Sequence, residues 1–298
     1  MLLLIYHGVK PEPDPMQPDE IDAAGFRRHM DTLAEGFNVL PLGEAVGRLR
    51  SGTLPARAAC ITFDDGYENN VSIALPILRE RSLPACFFIA TGFLDGECMW
   101  NDVIIESLRA TEAAEIDLTE FGLEICRLAG VNSRRAAARS LLRKLKRQHP
   151  RARAESVERL LEILDVERPA GLMMSSAQVR MLAEEGMEIG AHTISHPILT
   201  SLTDEEAREE IHGSKERLES IIGQSVGLFA YPNGRPGQDF STGHIEMLRE
   251  SGFAAAVTTA TGAADGVTDP FLLPRFTPWD RSGTRFTLRL YQCALGLV

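Results

Sequence analysis

"TFDDGYENN", residues 62–70, decides how this chain is read, because it sets two adjacent carboxylates, Asp64 and Asp65, against a glycine at the end of an apolar run. That run, within 58–66, reads as a strand buried on both faces, the kind that parallel sheets use. Similar short apolar or β-branched runs recur at 2–8, 37–42, 84–91, 188–193, 225–232, 254–259 and 271–276. Helix-like stretches lie between them, at 23–35, 43–50, 69–81, 176–185, 204–222 and 244–251. The clearest begins at "TDEE", where Thr203 caps the helix and Glu206 reaches back to it, and it stops near Gly223. Alternating strand and helix predict an α/β fold, and seven or eight such units suit a closed (β/α) barrel better than an open sheet.

With 298 residues, 44% of them hydrophobic, the chain can bury a full core. We read residues 1–298 as a single barrel domain with an insertion at about 101–175 on its rim. The insertion has mainly helical patterning and a hairpin signal around 115–125, and it carries nine Arg or Lys between Asn132 and Ala154. A solvated helix face is the ordinary reading of such a run; contact with an anionic substrate, or peripheral contact with a membrane surface, is the sharper one. The net charge of −11 disfavours a nucleic-acid binder, whose phosphate contacts need a basic face. Five cysteines without a CxxC pair suggest buried thiols in a reducing compartment. The start, "MLLLIYHGVK", has only a four-residue apolar run and no basic leader, so the expectation is no signal peptide and a cytoplasmic location. No run approaches a membrane span.

In a barrel of parallel strands the C-terminal strand ends converge on one pocket. On this reading His7 closes the first strand, Asp64 and Asp65 the third, His192 the fifth, Tyr231 to Asn233 the sixth and Arg275 the eighth. "HTISHP", residues 192–197, supplies two imidazoles four positions apart, a spacing that lets both reach one ion. Two histidines and a carboxylate form a common protein set for zinc or a similar divalent ion. The carboxylate is one of the two aspartates. Two such close carboxylates resist ionising together unless a cation neutralises one, leaving the other free to take a proton, which predicts metal-assisted hydrolysis of an amide or ester.

"TFDDGY" followed by "HTISHP" resembles the paired signature of the NodB-homology polysaccharide deacetylases, carbohydrate esterase family four, and "FAYPNG" (229–234) resembles its third motif. The resemblance covers the barrel strands. It implies a distorted (β/α) barrel that uses one divalent ion, zinc or else nickel, cobalt or manganese, to remove N-acetyl groups from amino sugars. It gives Asp64 the role of base and makes Asp65, His192 and His196 the metal ligands. Two features depart from the family pattern. Where the third motif commonly has an arginine, this chain has Ala230, and Arg275 is the candidate to orient the base or meet substrate in its place. The late Leu-x-His motif is not evident, while "YHGV" places His7 as in the biofilm poly-N-acetylglucosamine deacetylases, which makes His7 the expected general acid. Tyr231, Asn233 and Trp100 complete the substrate-side expectations, Asn233 through a free backbone N–H for the oxyanion and Trp100 as a wall for a sugar ring. The substrate implied is an N-acetylated amino sugar in a polysaccharide, an oligosaccharide or a nucleotide- or lipid-linked precursor. The alternatives are an allantoinase-like cyclic amide or imide hydrolase and a non-catalytic glycan-binding module.

Overall fold

The computed structural model describes residues 1–280 and 282–297. Seven strands form one parallel sheet: β1 (Leu2–Tyr6), β2 (Asn38–Val39), β3 (Ala58–Phe63), β4 (Cys86–Ile89), β5 (Glu188–Ala191), β6 (Leu228–Ala230) and β7 (Ala255–Val257). The sheet curls in the order β1-β3-β4-β5-β6-β7. The two-residue β2 pairs with the start of β3, opposite Ala58 and Ala59, and β4 pairs with its end, Thr62 opposite Cys86.

The apolar run 271–276 is not a ladder strand, and Pro274 gives the reason: it has no N–H to donate and fixes its own φ. The segment still closes the curl with backbone bonds on both sides. Thr258 N donates to the Leu273 carbonyl (2.8 Å) and Leu273 N to Ala256 (3.1 Å) on one side. On the other, Ile5 N donates to Phe276 (3.1 Å) and Phe276 N to Leu3 (2.7 Å).

Alternation along the strands sorts side chains between two compartments. Leu3, Cys60, Cys86, Phe88, Leu228, Ala230, Ala255, Val257 and Leu273 share one cluster inside the curl. Their neighbours Leu2, Leu4, Ile61, Phe63, Phe87, Ile89, Phe229 and Ala256 pack outward against the helices. Gly190 sits inside because Phe88 occupies the room a side chain would need: a Cβ there would lie 2.4 Å from the Phe88 ring.

The helices run at Ala23–Gly36, Leu42–Ser51, Ser176–Glu184, Asp204–Ile222 and Thr242–Glu250. Asp204–Ile222 has the expected box, Thr203 with Glu206, and ends on Gly223 in the left-handed region at φ +68°. The stretch expected as one helix over 69–81 opens instead as a π-turn, Asn70–Ala74, before the α-turn Leu75–Arg79. Asn70 is drawn inward there, its Nδ2 donating to the His7 carbonyl (2.7 Å). Between β4 and β5 come the helices Trp100–Ala110, Val131–Leu145 and Pro150–Leu164, with a small antiparallel pair, Glu115–Ile116 and Cys126–Arg127. They build a separate apolar cluster around Val103, Leu108, Leu141, Leu145, Leu160 and Leu164. No helix among the described residues is long and apolar enough to cross a membrane.

Candidate active site

Strand parity brings the site together. Asp64 continues the inward face of Cys60 and Thr62, His192 that of Gly190, His7 that of Leu3, and Arg275 that of Leu273. All four lie at the C-terminal ends of their runs. With Asp65, His196, Trp100, Asn101, Asn233 and others, three of them (His7, Asp64 and His192) line one cavity of about 450 Å³.

The opening pair of carboxylates is separated by what each one faces. Asp64 is buried and Arg275 grips it with both prongs, Nη1 to Oδ1 and Nη2 to Oδ2, each at 2.7 Å. Arg275 is itself fully buried and anchored by its Nε to the Thr258 carbonyl (2.8 Å) and by Nη1 to Thr62 Oγ1 (3.1 Å). Burial alone would raise the Asp64 carboxyl, but the guanidinium, with the charge of His192, outweighs it and holds the group below the usual carboxylate range. Arg275 therefore touches Asp64 and is not among the residues that line the cavity, which corrects its placement among substrate-side residues: its parity and the bidentate pair commit it inward.

Asp65 takes a left-handed backbone, φ +77°, and its carboxylate turns to the two imidazoles. Asp65 Oδ1 lies 3.4 Å from His192 Nε2 and 3.4 Å from His196 Nε2, and it is buried without a hydrogen-bond donor among the described residues. One ligand atom from each of these three residues lies within 4.8 Å of the others. His192 Nδ1 meets the Ala230 carbonyl at 2.7 Å, which directs Nε2 to the cavity. Burial pushes the His196 imidazole down to about 3, so it is neutral, as a ligand must be. A buried orphan oxygen facing two imidazoles fits a divalent cation.

The loop carrying these histidines is strained, with Thr193 at φ +65° and His196 at φ +52°, and one carboxylate holds it. Glu210, on helix Asp204–Ile222, accepts from Ile194 N and Ser195 N, each at 2.8 Å, and from the Ser195 hydroxyl (2.5 Å). The sequence offered no signal for Glu210, because its partners are backbone groups on another element.

His7 lines the cavity beside both aspartates. Asn233 lies at the same mouth with φ +59°, its carbonyl taken by the Thr259 hydroxyl and its N–H without a partner among the described residues. Gly234 follows at φ +70°, where a Cβ would stand 2.9 Å from Thr259 N. Trp100 reaches the cavity from the helical segment. Tyr231 does not. Odd-numbered positions of β6 face outward, so its ring is fully buried and stacks on Phe240 with centroids 3.6 Å apart, and the expectation of a substrate contact from that side chain is corrected.

The basic run splits into several uses. Arg134 bonds the Leu108 and Thr111 carbonyls, Arg143 bonds its own helix, Lys146 stands at the cavity rim, and Arg153 is buried in the cavity wall. Asp102, behind the wall, accepts from the Tyr67 hydroxyl (2.9 Å), and burial pushes its carboxyl up to about 7.

Known proteins resemble this chain in sequence and in fold. YxkH of Bacillus subtilis (strain 168), a protein named for polysaccharide deacetylation, is 29% identical over 264 residues, 88% of this chain; the chain spans 65% of the length of that relative. Among solved structures, the deacetylase PplD of Streptococcus pyogenes aligns over 93% of this chain and 91% of its own, with a TM-score of 0.62 and 18% identity. IcaB of Ammonifex degensii covers 96% of each chain with a TM-score of 0.61 and 18% identity. Those two likenesses establish a shared barrel. The family model described as polysaccharide deacetylase matches residues 51–256, from β3 through the site loops to β7, and on that match the chain belongs to the polysaccharide deacetylase family.

Proposed function

We propose that the protein is a metal-dependent hydrolase that removes N-acetyl groups from amino sugars of a polysaccharide, an oligosaccharide or a nucleotide- or lipid-linked glycan precursor. One observation carries the reading: a carboxylate fixed by a bidentate arginine shares a cavity with a carboxylate and two imidazoles fit to hold an ion. A divalent ion bound by Asp65, His192 and His196, zinc by the chemistry of the donors, would supply Lewis-acid polarisation and lower the pKa of a water.

The chain's own groups then have separate tasks. Asp64, kept ionised and aimed by Arg275, takes the proton of the attacking water. The free N–H of Asn233 donates to the oxygen on which charge develops. His7 gives a proton to the departing amine nitrogen, so that acetate and a free amino sugar leave. Trp100 forms the wall for the sugar ring. This arrangement favours the deacetylase over a glycan-binding module, which has no use for an arginine-held base beside an ion site.

Acetate release from polymeric, oligomeric and carrier-linked N-acetylamino sugars, measured with the purified protein and its metal content, tests the reading. Release that disappears on chelation and returns with zinc is expected; no release from any of them sinks it. The role of His7 has its own measurement. His7→Ala should lower kcat/KM by about 100-fold or more with metal content unchanged, and unaltered kinetics would remove His7 from the reaction.

A further inference from the structure

Arg153 is a buried charged side chain of the cavity that the catalytic reading leaves unused. It stands on helix Pro150–Leu164, lines the cavity and is 5% exposed. Among the described residues its guanidinium makes no hydrogen bond and no ion pair. Its guanidinium lies over the Trp100 ring, 4.8 Å from the centroid, a contact that holds it in place and leaves its N–H donors without protein acceptors among the described residues. A buried cation without a counter-ion is costly, and chains retain one where a ligand supplies the missing charge.

No acid among the described residues pairs with it directly. Glu210, whose charge Arg153 feels, is engaged by three donors of the histidine loop. Of the acids that line the cavity, Asp64 is held by Arg275, Asp65 faces the two imidazoles, and Glu20 has His7, Lys10, Asp19 and Asp65 as its charged neighbours. The position faces the same cavity as His192 and His196. From Lys146 at the rim the cavity continues into a groove lined by Arg147, Arg235 and Asn233.

We propose that Arg153, stacked on Trp100 and assisted by Lys146, receives an anionic group, a phosphate or a carboxylate, that the N-acetylamino sugar carries next to its acetamide. The proposal rests on the deacetylase reading and names its substrate class. A guanidinium fork matches either anion in a bidentate geometry, and a sugar whose charged group lies next to the acetamide would place its amide at the metal-ligand end.

The test compares three probes, N-acetylglucosamine 1-phosphate, N-acetylmuramic acid and neutral di-N-acetylchitobiose, on the wild-type chain and on Arg153→Gln and Arg153→Lys. The wild type should prefer an anionic probe, and which one identifies phosphate or carboxylate as the source. Arg153→Gln should lower the ratio of kcat/KM for that probe over the neutral one by about 30-fold, the loss of a charge-assisted bond, mainly through KM, and Arg153→Lys should recover part of it. Arg153→Lys also serves if the glutamine variant fails to fold. Acetate release from the neutral probe with a ratio that neither variant moves overturns the anion site and leaves the deacetylase reading intact. No release from any probe, with thermal stabilisation by the sugar phosphate that is lost in Arg153→Gln, keeps the anion site and overturns the activity.

Discussion

The barrel and the helical segment between β4 and β5 contribute to the same cavity by different physical means. In the barrel, each candidate side chain follows a strand whose neighbours fix it through a backbone ladder, and a partner then fixes its direction: Arg275 for Asp64, the Ala230 carbonyl for His192, Glu210 for the histidine loop. In the helical segment, Trp100 and Arg153 stand on helices held by their own apolar cluster and meet each other by stacking. The difference teaches where variation is tolerated. A strand-end group cannot move without disturbing the ladder, whereas helices with a separate core can shift what they present to substrate.

The largest effect is expected where the comparison is sharpest. Arg275→Met leaves Asp64 buried and unpaired, and should cost about 3–5 kcal/mol of stability and nearly all activity. Arg275→Lys keeps the charge and loses the fork, so it should retain the fold with a lowered kcat. Urea unfolding and acetate release check both; a methionine variant of wild-type stability would show that the pair does not hold the barrel end.

The two regions should also respond to pH in opposite senses. His29, buried under the barrel helices between Tyr6 and Phe286, is pushed down to about 4 by burial, so the unfolded chain takes its proton near 6.5 and the folded one does not. Stability is therefore lost as pH falls from 6.5 to 4, by roughly 3 kcal/mol. Asp102 of the helical segment is pushed up to about 7, so the folded chain keeps a proton that the unfolded one releases near 3.8, and stability is lost as pH rises across that window, by a similar amount. Urea midpoints at pH 4.5 and 7 should shift in opposite directions for His29→Gln and Asp102→Asn. Parallel shifts would contradict the assignment.

Leu141→Ala opens a cavity in the segment's own cluster and should cost about 2–5 kcal/mol there, raising KM while zinc stoichiometry stays at that of the wild type. Loss of metal in that variant would mean that the two regions form one cooperative unit. The smallest expected change is at Glu210. Glu210→Gln weakens the hold on the strained 193–196 loop and should lower zinc affinity about 10- to 100-fold, measured by competition with a chelating dye. An unchanged affinity would assign loop geometry to the ladder alone.

The sequence alone determined the class of fold and singled out the candidate reactive groups. Near-continuous apolar runs separated by capped helical stretches are local signals, and Asp64, Asp65, His192 and His196 announce themselves by residue type at strand ends. Alternation alone also carries the outward turn of Tyr231, since Phe229 and Tyr231 share a face opposite Leu228 and Ala230. What Pro274 does is equally local: it denies the last run a ladder. Only the tertiary structure decided which carboxylate Arg275 grips, 211 positions away, that Glu210 clamps the histidine loop through backbone donors, and that Arg153 alone of a basic run is buried in the cavity wall. The physical reason is that charge pairing and stacking are set by distance in space, which closure of the curled sheet and packing of the helical segment fix and which sequence separation does not encode.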